Sequence, residues 1–203
     1  FKSFRREKHV VEPFEIPAHW VRLRGVDWGY HSPMCVLWAA IDPDNGRVVV
    51  YRELYATELT DRQQAQQINS LTTETEKIGM TFADPSMWSK KTLDNVTSTA
   101  DQYAQGGVFL TKADNDRLSG KRKVDRLLEA LPDGRPGLIL FSTCENLIRT
   151  LPTLAYDPVH VEDVDTRQED HAYDALRYLL TTSRDGARKQ PKAQANPWME
   201  MKL

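Results

Sequence analysis

Three consecutive strand-like runs, with no helical pattern between them, most constrain how this chain folds. The runs are rich in β-branched and aromatic residues: VRLRGVDW at 21–28, MCVLWAAI at 34–41 and RVVVYREL at 47–54. The turn sequence DPDNG separates the second run from the third, and a turn of this kind joins neighbouring strands. The pattern predicts an antiparallel meander at the start of the domain.

A helix and a buried strand follow the meander. Thr60 and Gln63 have capping-box spacing, apolar residues recur at helical spacing after them, and Gly79 is a natural stop. We predict a helix over 61–78 and a strand at GMTFAD, 79–84. The alternation continues with a mixed helical segment, a strand at 107–113, a polar helix near 117–131, a strand at 137–143 and a short helix near 144–151. The fold class is therefore α/β.

Composition at the two ends sets the expected domain limits. Residues 1–20 mix charge with proline and are predicted to be a lead-in segment, and residues 183–203 are rich in Gly, Pro, Gln and Lys and are predicted to be a flexible tail. Between them, residues 21–182 form one predicted domain. Cys35 and Cys144 lie far apart in the sequence and are expected to be reduced. No apolar run reaches the roughly 18 residues of a membrane span, so no membrane partner is expected.

The last helix has two distinct faces. In DTRQEDHAYDALRYLLTT, Thr166 and Glu169 have capping-box spacing, which predicts a helix that runs to about Thr182. Ala172, Ala175, Leu176 and Leu179 share one side of this helix. The other side carries Asp170, His171, Asp174, Arg177 and Tyr178. One face is predicted to pack on the domain and the other to be polar.

Two acids follow predicted strands directly. Asp27 ends the first strand and Asp84 ends the fourth. Groups at the carboxyl ends of neighbouring parallel strands point into the crevice where α/β proteins bind ligands. Two carboxylates there repel each other unless a cation lies between them, and oxygen ligands favour Mg²⁺ or Mn²⁺. Asp174 on the last helix would complete such a site.

Each acid alone also has a purely structural interpretation. Asp27 before Gly29 is typical of a turn, Asp84 before Pro85 is typical of a cap, and an acid on a polar helix face is usually solvated. The functional interpretation depends on finding the acids together, after the first strand, after the fourth strand and on the terminal helix.

Four segments carry a resemblance to a known family. RGVDWGYHSP, VVVYRELY, TFADPSMW and EDHAYDALRYLL resemble the nuclease domain of the large terminase subunit of tailed bacteriophages, which has a ribonuclease H-like fold. The resemblance covers most of residues 15–182. It implies a mixed central sheet with a β-β-β-α-β start, flanked by helices, and a metal-dependent endonuclease that cuts the concatemeric viral genome during packaging.

The resemblance also assigns site residues. The metal-binding acids of that family correspond to Asp27, Asp84 and Asp174, and His171 matches a position beside the metal site. The implied chemistry is two-metal phosphodiester hydrolysis with Mg²⁺ or Mn²⁺, two ions being expected, and Asp27 as the bridging ligand. Asp170, one turn from Asp174, is a further candidate ligand.

Glu53, in the third strand, is an alternative acid for the site, although a surface or supporting role is the ordinary interpretation of its position.

A large terminase normally also has an ATPase motor. The only Gly-Lys pair of this chain, in RLSGKRK, lacks the earlier Gly and the Ser or Thr of a P-loop. We therefore expect no ATP hydrolysis and interpret the chain as an isolated C-terminal domain. The implied partners are double-stranded DNA, the missing ATPase domain, the portal and the small terminase subunit, and the implied location is the host cell cytoplasm.

DNA contact must come from local charge, because the net charge is only -2. The stretch KADNDRLSGKRKVDR at 112–126 has six basic residues against three Asp. The residues predicted to contact phosphates are Lys90, Lys91, Arg117, Lys121 and Arg122. A run of charged residues is more often simply a solvated surface. Contact with DNA would require these basic residues to lie near the acids.

Three other functions fit parts of the pattern. A junction resolvase or a transposase shares the fold, although transposases usually finish their acidic set with Glu where this chain has Asp174. A DNA-binding or portal-docking module without catalysis is a second alternative, which failure to bind Mn²⁺ would favour. A sugar-kinase-like ATPase shares the order of the first elements, but the chain has no glycine-rich phosphate loop.

Overall fold

A computed structural model describes residues 1–89, 97–155, 157, 163–165 and 167–188, with backbone alone from residue 181. The strands are β1 (Val10–Val11), β2 (Val21–Asp27), β3 (Met34–Ile41), β4 (Val48–Ala56), β5 (Ile78–Ala83), β6 (Thr111–Lys112) and β7 (Leu138–Phe141). The helices are α1 (Arg6–His9), α2 (Asp61–Leu71), α3 (Thr99–Gln105), α4 (Arg117–Leu128), α5 (Glu145–Thr150) and α6 (His171–Arg188), and a 3₁₀ turn spans Pro85–Trp88.

The strands form one mixed sheet in the order β1-β7-β4-β3-β2-β5-β6. Strands β2, β3 and β4 are the antiparallel meander, and β5 lies parallel to β2 on the other side. The α/β class, the mixed sheet and the β-β-β-α-β start are therefore confirmed. Because β2 and β5 are parallel neighbours, their carboxyl ends meet at one edge of the sheet.

The centre of the sheet is buried from both sides. Every residue from Met34 to Ala40 in β3 has no exposed surface, which explains why this strand is a continuous apolar run and does not alternate. On one side α6 packs across β2, β3 and β5. At the end of α2, the Thr72 hydroxyl accepts a hydrogen bond from Trp38 Nε1 at 3.1 Å.

Helix α2 ends at Leu71, so the predicted end at residue 78 is wrong. The capping box at Thr60 and Gln63 is confirmed. A polar segment follows Leu71, and Ile78 is the first residue of β5, where it pairs with Arg22 of β2. Ile78 has the spacing expected of another residue on the apolar face of α2, so the sequence pattern alone does not show whether Ile78 extends the helix or begins a strand.

Helix α6 begins at His171, five residues later than Thr166. Thr166 lies outside the described residues, and the segment 167–169 is a turn and bend. The helix also runs to Arg188, beyond the predicted end at Thr182. The apolar face of α6 packs on the sheet as predicted, since Ala172, Ala175, Leu176 and Leu179 have no exposed surface.

Residues 1–20, expected to be a lead-in segment, contribute α1 and the edge strand β1, which pairs with β7. Phe4 is buried in the core, and His9 Nε2 lies 3.0 Å from the Leu128 carbonyl oxygen. Cys35 and Cys144 are buried and form no disulfide, as predicted. In the part of the chain that the structure describes, no helix is long and apolar enough to cross a membrane.

Candidate metal centre

The sheet places Asp27 and Asp84 side by side. Asp27 is the last residue of β2, and Asp84 directly follows β5. Val26 pairs with Ala83 in the parallel register, so the two acids follow paired residues at neighbouring strand ends, about 4.8 Å apart in strand spacing. The predicted juxtaposition of these strand ends is confirmed. Asp27 is 8% exposed.

Gly25 allows α6 to pack so closely on β2 that side chains of α6 reach the sheet edge where Asp27 lies. A Cβ atom at Gly25 would lie 2.1 Å from the carbonyl oxygen of Ala175, a distance no side chain tolerates. Asp27 is two residues further along β2 and His171 is one turn earlier on α6. Two strand residues and one helical turn cover similar lengths, so the packing at Gly25 brings His171 onto Asp27.

His171 and Asp27 form a direct hydrogen bond. The Nδ1 atom of His171 lies 2.9 Å from Oδ2 of Asp27. In the tautomer that suits an ionised carboxylate, Nδ1 carries the proton and donates it. The pair joins the end of β2 to the first residue of α6.

An open cleft contains four of the five residues predicted to be catalytic or to bind metal. It is lined by Asp27, Trp28, Gly29, Tyr30, His31, Ser32, Arg117, Asp170, His171 and Asp174. The structure therefore brings Asp27 together with Asp170, His171 and Asp174, although Asp27 and His171 are 144 residues apart in the sequence. Arg117, predicted only as a phosphate contact, lies in the same cleft.

Asp84 is not among the residues that line this cleft, and its carboxylate is directed to other partners. Its Oδ2 accepts a hydrogen bond of 2.8 Å from the Tyr178 hydroxyl, and its Oδ1 accepts one of 2.7 Å from the backbone N–H of Ser86. Tyr178 follows Asp174 by one turn of α6. Asp84 therefore lies next to the cleft and contacts α6 one turn beyond Asp174.

Burial and like charge raise the pKa values of two acids in the cleft. Burial raises the pKa of Asp27 to about 7 from an ordinary 3.8, with a further contribution from Asp174 and an opposing one from the His171 hydrogen bond. Burial and Asp174 raise the pKa of Asp170 to about 6. The hydrogen bond to Asp27 also raises the pKa of His171 above its ordinary value. The raised pKa values of Asp27 and Asp170 show that nearby positive charge does not offset their burial and their repulsion by Asp174.

Two arginines supply part of that charge through Asp174. Arg117 Nη1 lies 3.3 Å from Asp174 Oδ2, and Arg177 Nε donates to Asp174 Oδ1 at 3.1 Å. The predicted polar face of α6 is therefore not a solvated surface, because Arg177 and Tyr178 are 0% and 2% exposed. The polar groups of this face pair with Asp27, with Asp84 and with Arg117 at the start of α4.

The donor chemistry of the cleft fits a hard divalent cation. Carboxylate oxygens and the imidazoles of His31 and His171 line a partly buried cleft, and Arg117 adds a guanidinium group that contacts Asp174. Among the described residues, however, no three His, Cys, Asp or Glu side chains converge to hold one metal ion. The reason is that Asp27, Asp84 and Asp174 each face a protein partner.

Glu53 has a structural partner. Its carboxylate accepts hydrogen bonds from the backbone N–H groups of Asn146 and Leu147 at 2.9 and 2.8 Å. Both N–H groups belong to the first turn of α5, where a negative charge is favourable. The supporting role expected for Glu53 therefore has a physical basis in helix capping.

The predicted DNA-contact residues divide into separate groups. Arg122 lines a groove on α4 together with Asp116, Leu118, Ser119, Lys123 and Arg126. Lys121 donates to Asp125 at 2.8 Å, and its Nζ lies over the Phe1 ring. Lys90 and Lys91 lie outside the described residues.

Sequence reasoning missed the partners of the acids. Asp163, Tyr178 and Arg117 contact the acidic side chains or each other, yet none was predicted in that role. The position of Tyr178 one turn after Asp174 was the available signal, and it predicted only a shared helix face. Asp163 gave no periodic signal, because it lies in an irregular segment.

The strand order defines a ribonuclease H-like fold, and an acidic cleft lies at the end of β2. The nuclease domain of the phage P22 large terminase matches at a TM-score of 0.73 with 21% identity, covering 89% of this chain and 90% of that one. The phage SPP1 large terminase nuclease domain with bound Mn matches at 0.62 with 18% identity, covering 87% and 96%.

A large terminase from a thermophilic bacteriophage, in complex with ADP, matches at a TM-score of 0.71 with 22% identity, covering 88% of this chain. This chain spans only 43% of that larger protein. The predicted resemblance to terminase nuclease domains is therefore confirmed at the level of the fold. No protein-family model and no curated protein matches the sequence.

Proposed function

We propose that this chain is a divalent-metal-dependent endodeoxyribonuclease that cuts concatemeric viral DNA during packaging, as the nuclease domain of a large terminase. The observation that carries the proposal is the cleft in which Asp27, Asp170, His171 and Asp174 meet beside Asp84, in a fold shared with phage terminase nucleases. The ATPase motor, the portal and the small terminase subunit are its proposed partners, and the host cytoplasm its proposed location.

Asp27, Asp84 and Asp174 are the proposed ligands of two Mg²⁺ or Mn²⁺ ions, with Asp170 as a further ligand. Bound Mn in the SPP1 nuclease domain supports this choice of metal. The ions would supply an activated water and stabilise the charge of the leaving oxygen. Asp27 lies between β5 and α6, which favours it as the shared ligand.

His171 has a proposed role in proton transfer. Its Nδ1 is held by Asp27, which fixes the ring and leaves Nε2 as the nitrogen that can take a proton from the attacking water.

The groove on α4 is the proposed path of the DNA backbone. Arg122, Lys123 and Arg126 line it, and α4 begins at Arg117, which lies in the acidic cleft. One helix thus connects a basic groove to the acids. Backbone contacts of this type hold DNA without reading its sequence. Lys121 is a further proposed contact at the side of the groove.

Cleavage of supercoiled plasmid tests the proposal. We expect nicking or linearisation in Mn²⁺ or Mg²⁺, no cleavage in EDTA, and a loss of at least about a hundredfold in Asp174→Ala. Asp133→Ala is the matched control, since Asp133 is a 45% exposed acid paired with Arg47 outside the cleft. Cleavage that survives EDTA or Asp174→Ala would refute the assignment.

One observation favours a second function, that of a DNA-binding or docking module without catalysis. Every proposed ligand already has a protein partner, and no three donors converge among the described residues. Such a module would bind DNA but would neither bind Mn²⁺ nor cut plasmid.

A further inference from the structure

Arg117 enters the acidic cleft from a fixed backbone position. It is the first residue of α4, directly after the N-cap residue Asp116, whose side chain accepts a hydrogen bond from Ser119 N–H at 3.1 Å. The cap sets the start of the helix, and the long side chain of Arg117 then spans the gap to the first turn of α6.

Three carboxylates surround the guanidinium group of Arg117. Its Nε donates to Asp163 Oδ2 at 2.8 Å, its Nη1 lies 3.3 Å from Asp174 Oδ2, and its Nη2 lies 3.7 Å from Asp170 Oδ2. The side chain is 25% exposed, although its Nη2 atom is buried, so the guanidinium group is only partly open to solvent.

Arg117 carries its positive charge at every pH near neutrality. Burial alone lowers its pKa, but Asp174 and Asp163 raise it, and the net pKa is above the ordinary value. A guanidinium group bound to three acids is therefore a cation that no change of pH near neutrality removes.

The contacts of Arg117 and those of a metal ion exclude each other at Asp174. Both oxygens of this carboxylate accept from arginines, Oδ1 and Oδ2 from Arg117 at 3.4 and 3.3 Å and Oδ1 also from Arg177. Arg177 is fully buried, whereas the Arg117 side chain is 25% exposed, so Arg117 is the arginine of the two that solvent and an incoming cation can reach. A divalent ion would also repel the guanidinium group at this distance.

We propose that Arg117 is a built-in counterion of the acidic cleft, which a divalent cation displaces from Asp174 and Asp170 when it binds. This inference rests on the proposed function and deepens it. Before the metal binds, Arg117 limits repulsion among the acids. After displacement, the guanidinium group remains at the cleft opening, where a DNA phosphate approaching the acids would meet it.

The test compares Mn²⁺ binding by calorimetry in the wild type, Arg117→Gln and Arg117→Lys. We expect Arg117→Gln to bind Mn²⁺ about tenfold more tightly, because a competing positive charge has been removed. Arg117→Lys keeps the charge and should remain closer to the wild type. A merely structural role would lower stability but would not tighten metal binding.

Thermal unfolding supplies a second readout that does not depend on activity. In EDTA, Arg117→Gln should melt at a lower temperature than the wild type, and saturating Mn²⁺ should reduce that difference. Arg52→Gln is the matched control, because Arg52 is 26% exposed and its guanidinium binds Glu76 at 2.7 Å outside the cleft. It should destabilise the fold equally with and without Mn²⁺.

Equal or weaker Mn²⁺ binding by Arg117→Gln overturns the inference, and so does absence of Mn²⁺ binding by all of the proteins. Failure of the proposed function is distinguishable: a wild-type chain that binds Mn²⁺ but leaves plasmid intact is not the proposed nuclease. The affinity comparison would still decide the role of Arg117.

Discussion

Asp27 and His171 make the stability of the metal-free protein depend on pH. An unfolded aspartate ionises near 3.8, whereas folded Asp27 ionises at about 7 because it is buried. Stability is therefore lost as the pH rises between these values, since the folded state retains a proton that the unfolded state has released. The raised pKa of His171 acts in the same direction, but it belongs to the same hydrogen-bonded pair, so its contribution is not added to that of Asp27.

The variant Asp27→Asn should remove most of this pH dependence. Asparagine keeps the shape of the protonated acid and cannot ionise. In EDTA at about pH 8, we expect Asp27→Asn to be more stable than the wild type by on the order of 2 kcal/mol, and near pH 4 the two should be similar. Urea denaturation at both pH values measures the difference. An equal effect at the two pH values would contradict the assigned cause.

At the same scale, the sequence predicted which acids belong to the site but not how they are held. Asp27, Asp174 and His171 were predicted from strand ends, helix face and resemblance, and they share the cleft. The contact of Asp84 with Tyr178 and that of Asp174 with Arg117 were not predicted. Such contacts depend on the distance between elements, which the local pattern of residues does not contain.

At the scale of elements, the contact between α6 and β2 determines the geometry of the site. Gly25 faces Ala175 so closely that a methyl group has no space. The helix carries His171, Asp174 and Tyr178, so any movement of α6 away from β2 shifts all of them from the strand-end acids.

We expect Gly25→Ala to affect both stability and cleavage. The added methyl group should destabilise the fold by about 1–3 kcal/mol, and displacement of α6 should reduce plasmid cleavage at least about tenfold even where the protein stays folded. Gly46→Ala is the control of the same type, because nothing lies within 4 Å of a Cβ there, although its φ of +74° carries a backbone cost. A folded Gly25→Ala with wild-type cleavage would exclude this role.

Sequence reasoning located the elements better than their ends. The capping box identified the start of α2 because the hydrogen bonds of a cap are local. The end of α2 at Leu71 and the start of α6 at His171 were missed. The end of α2 depends on a tertiary contact, because Ile78 joins β5 beside Arg22. Helix α6 begins where the backbone carbonyl of Asp170 accepts the first helical hydrogen bond, from Asp174 N–H, and the spacing of Thr166 and Glu169 did not indicate this position.

At the scale of the whole molecule, opposite charges are sorted into adjacent surfaces. The net charge of -2 conceals a cleft of buried carboxylates and a neighbouring groove with Arg122, Lys123 and Arg126. The sequence predicted the basic stretch as a local feature. Arg117, the first residue of α4, contacts the acids, whereas Arg122 on the same helix lines the groove. This separation is what the proposed cation site and the proposed phosphate surface require.

Asp27 and its neighbours are proposed to form a divalent cation site, and Mn²⁺ titration by calorimetry at about pH 8 measures that binding. We predict saturable binding to the wild type and loss of that binding in Asp27→Asn, with Asp133→Ala unchanged. Asp27→Asn should stay folded, so the loss would report the ligand and not the fold. Unchanged binding in Asp27→Asn, or no binding to the wild type, would contradict the account.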